Sequence, residues 1–241
     1  MDYATPLGII ALAALVHASF QLGVSMMTLL SGHSLSAKRS AGRTLGLVAS
    51  FFAGAFVMTM LVVSTLAFLI TKLWTTGLPA FPWIIASSLL IGVGIIIWAA
   101  YYRRGREGTA LWIPRAMARF LEERTKATKD GAEAFSLGLT SVLAESVFVI
   151  PPAFAAALTI TTISAQWQLL ALVIYTLVAS IGLAIVVVLI GSGRRISTIQ
   201  RWRETHKRFL QFAAGGGFIV LGAFIYASYV LLPITMLKGI F

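Results

Sequence analysis

Six apolar runs divide the chain. They extend from Pro6 to Leu30, Leu45 to Thr71, Pro82 to Tyr102, about Ala132 to Ile160, Gln168 to Gly191 and Leu210 to Pro233. A helix crosses a hydrocarbon core of ~30 Å with ~20 residues, and each run is long enough for that. None shows the ten-residue polar–apolar alternation of a membrane barrel strand. The pattern predicts an all-α integral membrane protein with six transmembrane helices. The first run follows Met1-Asp2-Tyr3, without a basic start, and exceeds a signal-peptide core. It is read as a span and not as a cleaved leader.

Three runs on either side of the longest polar segment suggest one membrane domain over residues 1–241. Half one is 1–102, an amphipathic cytoplasmic connector is 103–131, and half two is 132–241. An odd number of spans per half makes the second half enter the membrane in the opposite sense. That is the inverted-repeat plan of many secondary transporters. One local match supports it: Leu15-Val16-His17-Ala18-Ser19-Phe20 in the first span and Leu143-Ala144-Glu145-Ser146-Val147-Phe148 in the fourth.

Composition agrees with a lipid solvent. The chain is 59% hydrophobic and 11% charged, with a mean hydropathy of +0.91. Soluble domains run about 45–50% apolar and about 25% charged. This excludes a disordered chain, a solvated nucleic-acid-binding domain and most cytosolic enzymes. The net charge is +11, yet seventeen of the nineteen lysines and arginines fall in Ser31–Thr44, Arg103–Asp130 and Ser192–Phe209. These are alternate loops, so the positive-inside rule places them in the cytoplasm of a multi-pass plasma-membrane protein. Both termini and the loops Lys72–Phe81 and Thr161–Trp167 then face outward. Within Trp112–Lys129, Ile113, Met117, Phe120 and Leu121 recur at helical spacing between bases. Such a helix suits the anionic lipids of the inner leaflet, and Trp202 and Phe209 can anchor the third basic loop in the same way. The charge therefore calls for lipid and not for nucleic acid. There is no cysteine, which rules out a disulfide, a thiolate metal site and a dithiol relay.

Depth picks out the chemistry. Glu145 lies near the middle of the fourth run, whereas the other seven acids lie in loops, near run ends or at the N-terminus. A carboxylate at the bilayer centre costs roughly 2.5–3.5 kcal/mol on insertion scales, so it must be protonated or paired with a base or a bound cation. His17 lies near the middle of the first run. Gln21 and Ser25 follow it at i+4 and i+8, which gives one polar face to a continuous helix. His33 falls in a basic loop and is read as solvated. Ser146 adjoins Glu145. Pro151 and Pro152 remove two helical donors and free the carbonyls of Val147 and Phe148, within a turn of Glu145. Gly92 and Gly94, with Gly215-Gly216-Gly217 and Gly222, suit close helix packing, and the triplet also suits a hinge. No metalloprotease helix, phosphate loop or elbow serine is present, so neither an enzyme nor a cofactor is expected.

The first inner loop reads Ser31-Gly32-His33-Ser34-Leu35-Ser36-Ala37-Lys38-Arg39-Ser40-Ala41-Gly42-Arg43-Thr44, followed by a Gly/Ala-rich helix that continues to Gly54. It resembles the first cytoplasmic loop of the lysine exporter (LysE) superfamily. The resemblance implies six helices in two inverted halves of three, and export of a small solute or a metal cation. Some metal-exporting relatives carry a first-helix histidine, as His17 does here. The Pro-Gly-Pro-like and Asn-Pro-Lys motifs of the amino-acid exporters are absent. Their places hold Val16-His17-Ala18-Ser19-Phe20 and Glu145 with Pro151-Pro152, so no substrate carries over.

Three functions fit these residues. One is a secondary transporter, an exporter of a small polar solute, with proton coupling at Glu145. Another is a metal-cation transporter using His17, Gln21 and Glu145. The third is a membrane scaffold or accessory subunit in which His17 and Glu145 tie two spans together. A homo-oligomer is compatible with all three. His17 and Glu145 are expected to approach one another between the first and fourth spans. The distribution of bases also predicts sidedness. Cysteines introduced at Ser36 and Ser197 should resist an impermeant label added outside intact cells, and fast labelling at both would reverse the orientation.

Overall fold

A computed structural model describes residues 4–19, 22–36, 41–75, 77–103, 115–192, 201–202 and 205–233. Regular structure among them is entirely helical. The helices are α1 (Ala4–Ser19), α2 (Leu22–Ser36), α3 (Ala41–Leu73), α4 (Ala80–Arg103) and α5 (Arg115–Ala127). They continue as α6 (Gly131–Ala144), α7 (Ser146–Thr162), α8 (Ala165–Ala179), α9 (Ile181–Gly191) and α10 (Lys207–Tyr226), which ends in a π-helical turn, Ala227–Leu231.

Three helices among the described residues are long and apolar enough to cross a membrane: Gly42–Leu73, Ala80–Ala99 and Arg208–Leu231. Three bent pairs raise the number to six if each pair is one span. They are α1 with α2, α6 with α7, and α8 with α9, bent by 46°, 80° and 54°. The first, fourth and fifth apolar runs are thus each bent in the middle; the fourth was expected to be interrupted at Pro151-Pro152, and the first and fifth were read as single spans. Leu15, Phe68, Ile95, Leu169, Val188 and Val220 stay exposed on the outer faces. Apolar surface of that extent suits a protein embedded in a membrane.

The breaks have local causes. Glu145 has φ −91° and ψ 10°, and Ser180 has φ −90° and ψ 3°. Both sit in the bridge region, away from the helical ψ near −42°. The Glu145 N–H donates to Ser141 and Val142, and its carbonyl accepts from Phe148 and Val149, which is a tightened turn between two helices. α7 runs on through Pro151 and Pro152, so the prolines do not mark the bend. Each missing N–H instead weakens the turn before it, at Val147 and Phe148, and the chain bends just upstream.

Two apolar clusters fill the interior, and the breaks separate them. One gathers α1, the second half of α3, α4, α7, α8 and α10, around Ile9, Val63, Leu90, Leu158, Tyr175 and Phe218. The other gathers α2, the first half of α3, α5, α6 and α9, around Met27, Leu30, Phe51, Leu137 and Leu183. Each bent pair therefore passes from one cluster to the other. Phe148 belongs to the first cluster and its neighbour Val149 to the second.

Glycines set the closest approaches. α3 and α6 run parallel, and a Cβ at Gly54 would strike the Phe135 backbone, while one at Gly138 would strike Phe51 and Ala55. α4 and α10 run antiparallel. Gly94 meets Gly215 and Ile219, Gly222 meets Ser87 and Ile91, and Trp98 stacks on Phe212 at 5.3 Å. Gly215 and Gly217 thus pack, against Trp98 and Val16, and the packing role expected of Gly94 and Gly222 is met. Gly92 differs: a Cβ added there would meet nothing within 4 Å, so it is not a packing glycine.

The polar segments collect at two ends. Arg43 donates to the Lys129 carbonyl at 3.1 Å, which brings the start of α3 to the junction of α5 and α6. At the other end Tyr229 stacks on Trp83 at 3.8 Å and hydrogen-bonds Thr162, close to the short turns α3–α4 and α7–α8. The expected loop Ser31–Thr44 is shorter than it reads, since α2 continues to Ser36 and α3 begins at Ala41. Leu121 of α5 is buried in the second cluster and Phe120 is exposed, so this helix docks on the bundle by one face. Ile113 lies outside the described residues.

The glycine contacts separate two substitutions. Gly54→Ala should destabilise the protein by about 1–3 kcal/mol, because two backbones must separate. Gly92→Ala should be neutral or stabilising by up to ~1 kcal/mol, since a helical glycine gains from a side chain that meets nothing. Melting curves in detergent check both, and equal losses would contradict the packing described.

Candidate functional site

The three breaks meet at one place. A cavity of about 10 Å³ lies between the two clusters, lined by His17, Thr59, Ser141, Glu145 and Ser180 and by the backbone of Gly23. Ala55, Val142, Val149 and Leu183 also line it. His17 precedes the first break, Glu145 is the second, and Ser180 is the third. Unbroken α3 contributes Thr59. The volume is that of about one water molecule, well short of an organic solute.

Glu145 is 5% exposed. It occupies the N-cap position of α7 but makes no side-chain cap bond there. Its Oε1 instead accepts the Gly23 N–H at 2.9 Å, across 122 residues of sequence. Gly23 lies in the first turn of α2, where backbone donors have no helical acceptor and the helix dipole is positive. A charge-assisted hydrogen bond contributes about 1.5–3 kcal/mol. That is the same size as the insertion cost of the carboxylate on translocon scales.

His17, 4% exposed, turns to α8. Its Nδ1 lies 2.9 Å from the Tyr175 hydroxyl, and Tyr175 is fully buried. The two rings are 5.9 Å apart and tilted. A phenol can donate to a ring nitrogen or accept from it, so the pair satisfies both groups in an apolar interior.

His17 and Glu145 therefore face one cavity, each with its own partner: Tyr175 for one, Gly23 for the other. The expected polar stripe His17–Gln21–Ser25 falls partly outside the described residues. α1 and α2 on either side of it are bent by 46°. Gln21 lies outside the described residues, and Ser25 is half-buried and off the cavity wall. Ser146 is half-buried, and Pro151 and Pro152 are buried within α7; none of the three lines the cavity. Among the described residues no three His, Cys, Asp or Glu gather as a metal-binding group.

Thr59, Ser141, Tyr175, Ser180 and Gly23 are site residues that sequence reasoning missed. Thr59 stands midway through Leu45–Thr71 and Ser180 midway through Gln168–Gly191. Mid-run depth, the signal that marks His17 and Glu145, marks both hydroxyls as well. Nothing in the sequence marks Gly23 as a donor or pairs Tyr175 with His17. No family model, characterised protein or solved structure matches the chain.

The pairing of His17 with Tyr175 is testable as a cycle. Tyr175→Phe leaves a buried ring nitrogen without its partner and should cost about 1–3 kcal/mol. His17→Leu alone strands the phenol with a similar loss. The double variant should lose less than the sum of the two, as thermal unfolding in detergent would show. Strict additivity would mean the two groups do not interact.

Proposed function

We propose that this protein is a secondary transporter, an exporter of a small polar solute, with its transport site in the cavity between the two clusters. The observation that carries the reading is the meeting of three mid-helix breaks at one carboxylate. Broken helices near the bilayer centre give transporters their substrate and ion sites, because helix ends offer backbone donors and acceptors that a continuous helix keeps to itself. A packing device would not need three breaks at one level.

The same reading covers the plan of the molecule. Six spans form two halves of three, inserted in opposite senses in the plasma membrane, with the basic loops in the cytoplasm. Support comes from α1–α2 and α6–α7, the first spans of the two halves. Both break in the middle, and each brings an ionisable group to the same cavity. The plan is not strictly symmetric, since α8–α9 is broken while its counterpart α3 runs through 33 residues. The LysE-like first loop belongs to this proposal and supplies the expectation of export.

The cavity is too small for an organic solute, so transport requires the clusters to part. Glu145 is the coupling group of the proposal. Its bond to Gly23 draws α2 onto the break between α6 and α7. Protonation would weaken that bond by removing the charge that the helix end favours. The metal-cation reading lacks a third ligand of the usual kind among the described residues. A scaffold reading leaves the breaks without a use.

Reconstitution in vesicles containing a pH-sensitive dye tests the proposal. Gradients of amino acids and of monovalent and divalent cations are imposed in turn. The native protein should move protons in response to one of them. Glu145→Gln keeps size and hydrogen-bonding capacity but cannot titrate, so it should stay folded and lose the coupled flux. Full pH-driven flux in the Gln form would exclude the coupling role.

A further inference from the structure

Thr59 and Ser180 depart from a habit of the other buried hydroxyls. Serine and threonine in helices usually donate to a carbonyl three or four residues back. Thr28, Ser31, Ser87, Ser141, Thr159 and Thr176 all do so, at 2.8–3.0 Å. Thr59 and Ser180 are just as buried, at 4% and 3% exposure. Neither hydroxyl has a hydrogen-bond partner among the described residues, and Ser180 makes no cap bond although it stands at the N-cap of α9. Both line the cavity. Buried hydroxyls without partners are costly, so a cavity that gathers two of them is shaped for an occupant.

The wall defines that occupant. Space of about 10 Å³ admits one water-sized body. Among the described residues the side-chain oxygens around it are three hydroxyls and one carboxylate, since Ser141 spends only its proton on the Gly138 carbonyl. These are hard donors, suited to an unpolarisable cation. One carboxylate, with no lysine or arginine in the wall among the described residues, matches a single positive charge. A divalent ion would want further carboxylates. We propose that the cavity is a sodium site, in which Na⁺ is held by the Glu145 carboxylate and the hydroxyls of Thr59, Ser141 and Ser180. Sodium binding and protonation exclude one another there: Na⁺ binds the ionised carboxylate, and a proton that reaches the Glu145 oxygen from water displaces it. His17 is the other titratable group at the wall, with its Nδ1 engaged by Tyr175. α2, α3 and α9 present Gly23, Ala55, Thr59 and Leu183, none of them titratable. As the coupling ion of transport, sodium rests on the reading given above; as a bound ion, it is measurable without any flux.

The test uses the full chain in detergent at pH 8. NaCl is exchanged for KCl or choline chloride at constant ionic strength, while melting temperature is followed, and the sodium titration is repeated at pH 6. Sodium should raise the melting temperature saturably, with a higher half-saturating concentration at pH 6 than at pH 8, and choline should not raise it. Glu145→Gln should abolish the response. Thr59→Val combined with Ser180→Ala should raise the half-saturating sodium concentration by about tenfold, the effect of losing two neutral donors. Identical melting of the native protein in sodium, potassium and choline would overturn the site and leave water as the occupant. Proton-coupled flux in sodium-free vesicles would then still stand on its own. Sodium binding by a protein that moves no solute would support the site while the transport reading failed. The ion series on the native protein decides the matter even if a variant does not fold.

Discussion

The hydrogen bond from the Gly23 N–H to the Glu145 carboxylate joins two helix breaks that lie 122 residues apart. It answers two costs at once. A helix that starts inside an apolar bundle has backbone donors with no acceptor, and a carboxylate in the same place has no water. Each supplies what the other lacks. The partial positive charge of the α2 terminus and the negative charge of Glu145 are both made tolerable by their meeting. The level of the break in the first pair is thereby tied to the level of the break in the second.

The division of the core follows from that constraint. Three bent helix pairs gather their polar groups at one place. The interior therefore packs as two clusters, with His17, Thr59, Ser141, Glu145 and Ser180 between them. The glycine contacts of α3 with α6 and of α4 with α10 hold the surrounding helices at backbone distance. Packing is thus dense along the bundle and interrupted at one polar seam. A seam of this kind is where the two clusters would move apart in the proposed transport.

Prolines do not decide where the helices break. Pro151 and Pro152 are the expected punctuation of the fourth run. They are buried in α7, which continues through them, and the chain bends at Glu145. The fifth run has no proline and bends all the same, at Ser180, with nearly the same backbone angles. Local propensity weakens a turn; at Glu145 a distant partner, the Gly23 N–H, holds the residue that leaves the helix.

Much of the architecture is legible in the chain itself. Six apolar runs, alternate basic segments and two ionisable groups at mid-depth follow from the cost of placing polarity in lipid, which acts on every residue by its position alone. Depth locates His17 and Glu145, and applied to hydroxyls it also reaches Thr59 and Ser180. For the stripe His17–Gln21–Ser25 it reaches only the ends: His17 lines the cavity and Ser25 does not. It cannot find the Gly23 donor or the Tyr175 partner, since an N–H becomes a site only when its helix ends there, and a phenol at mid-depth has many neighbours to choose from. Those features arise from contacts between residues more than a hundred positions apart. Burial energy acts on one residue at a time and is written in the sequence; hydrogen bonds between distant helix ends need the folded arrangement to bring donor and acceptor within ~3 Å.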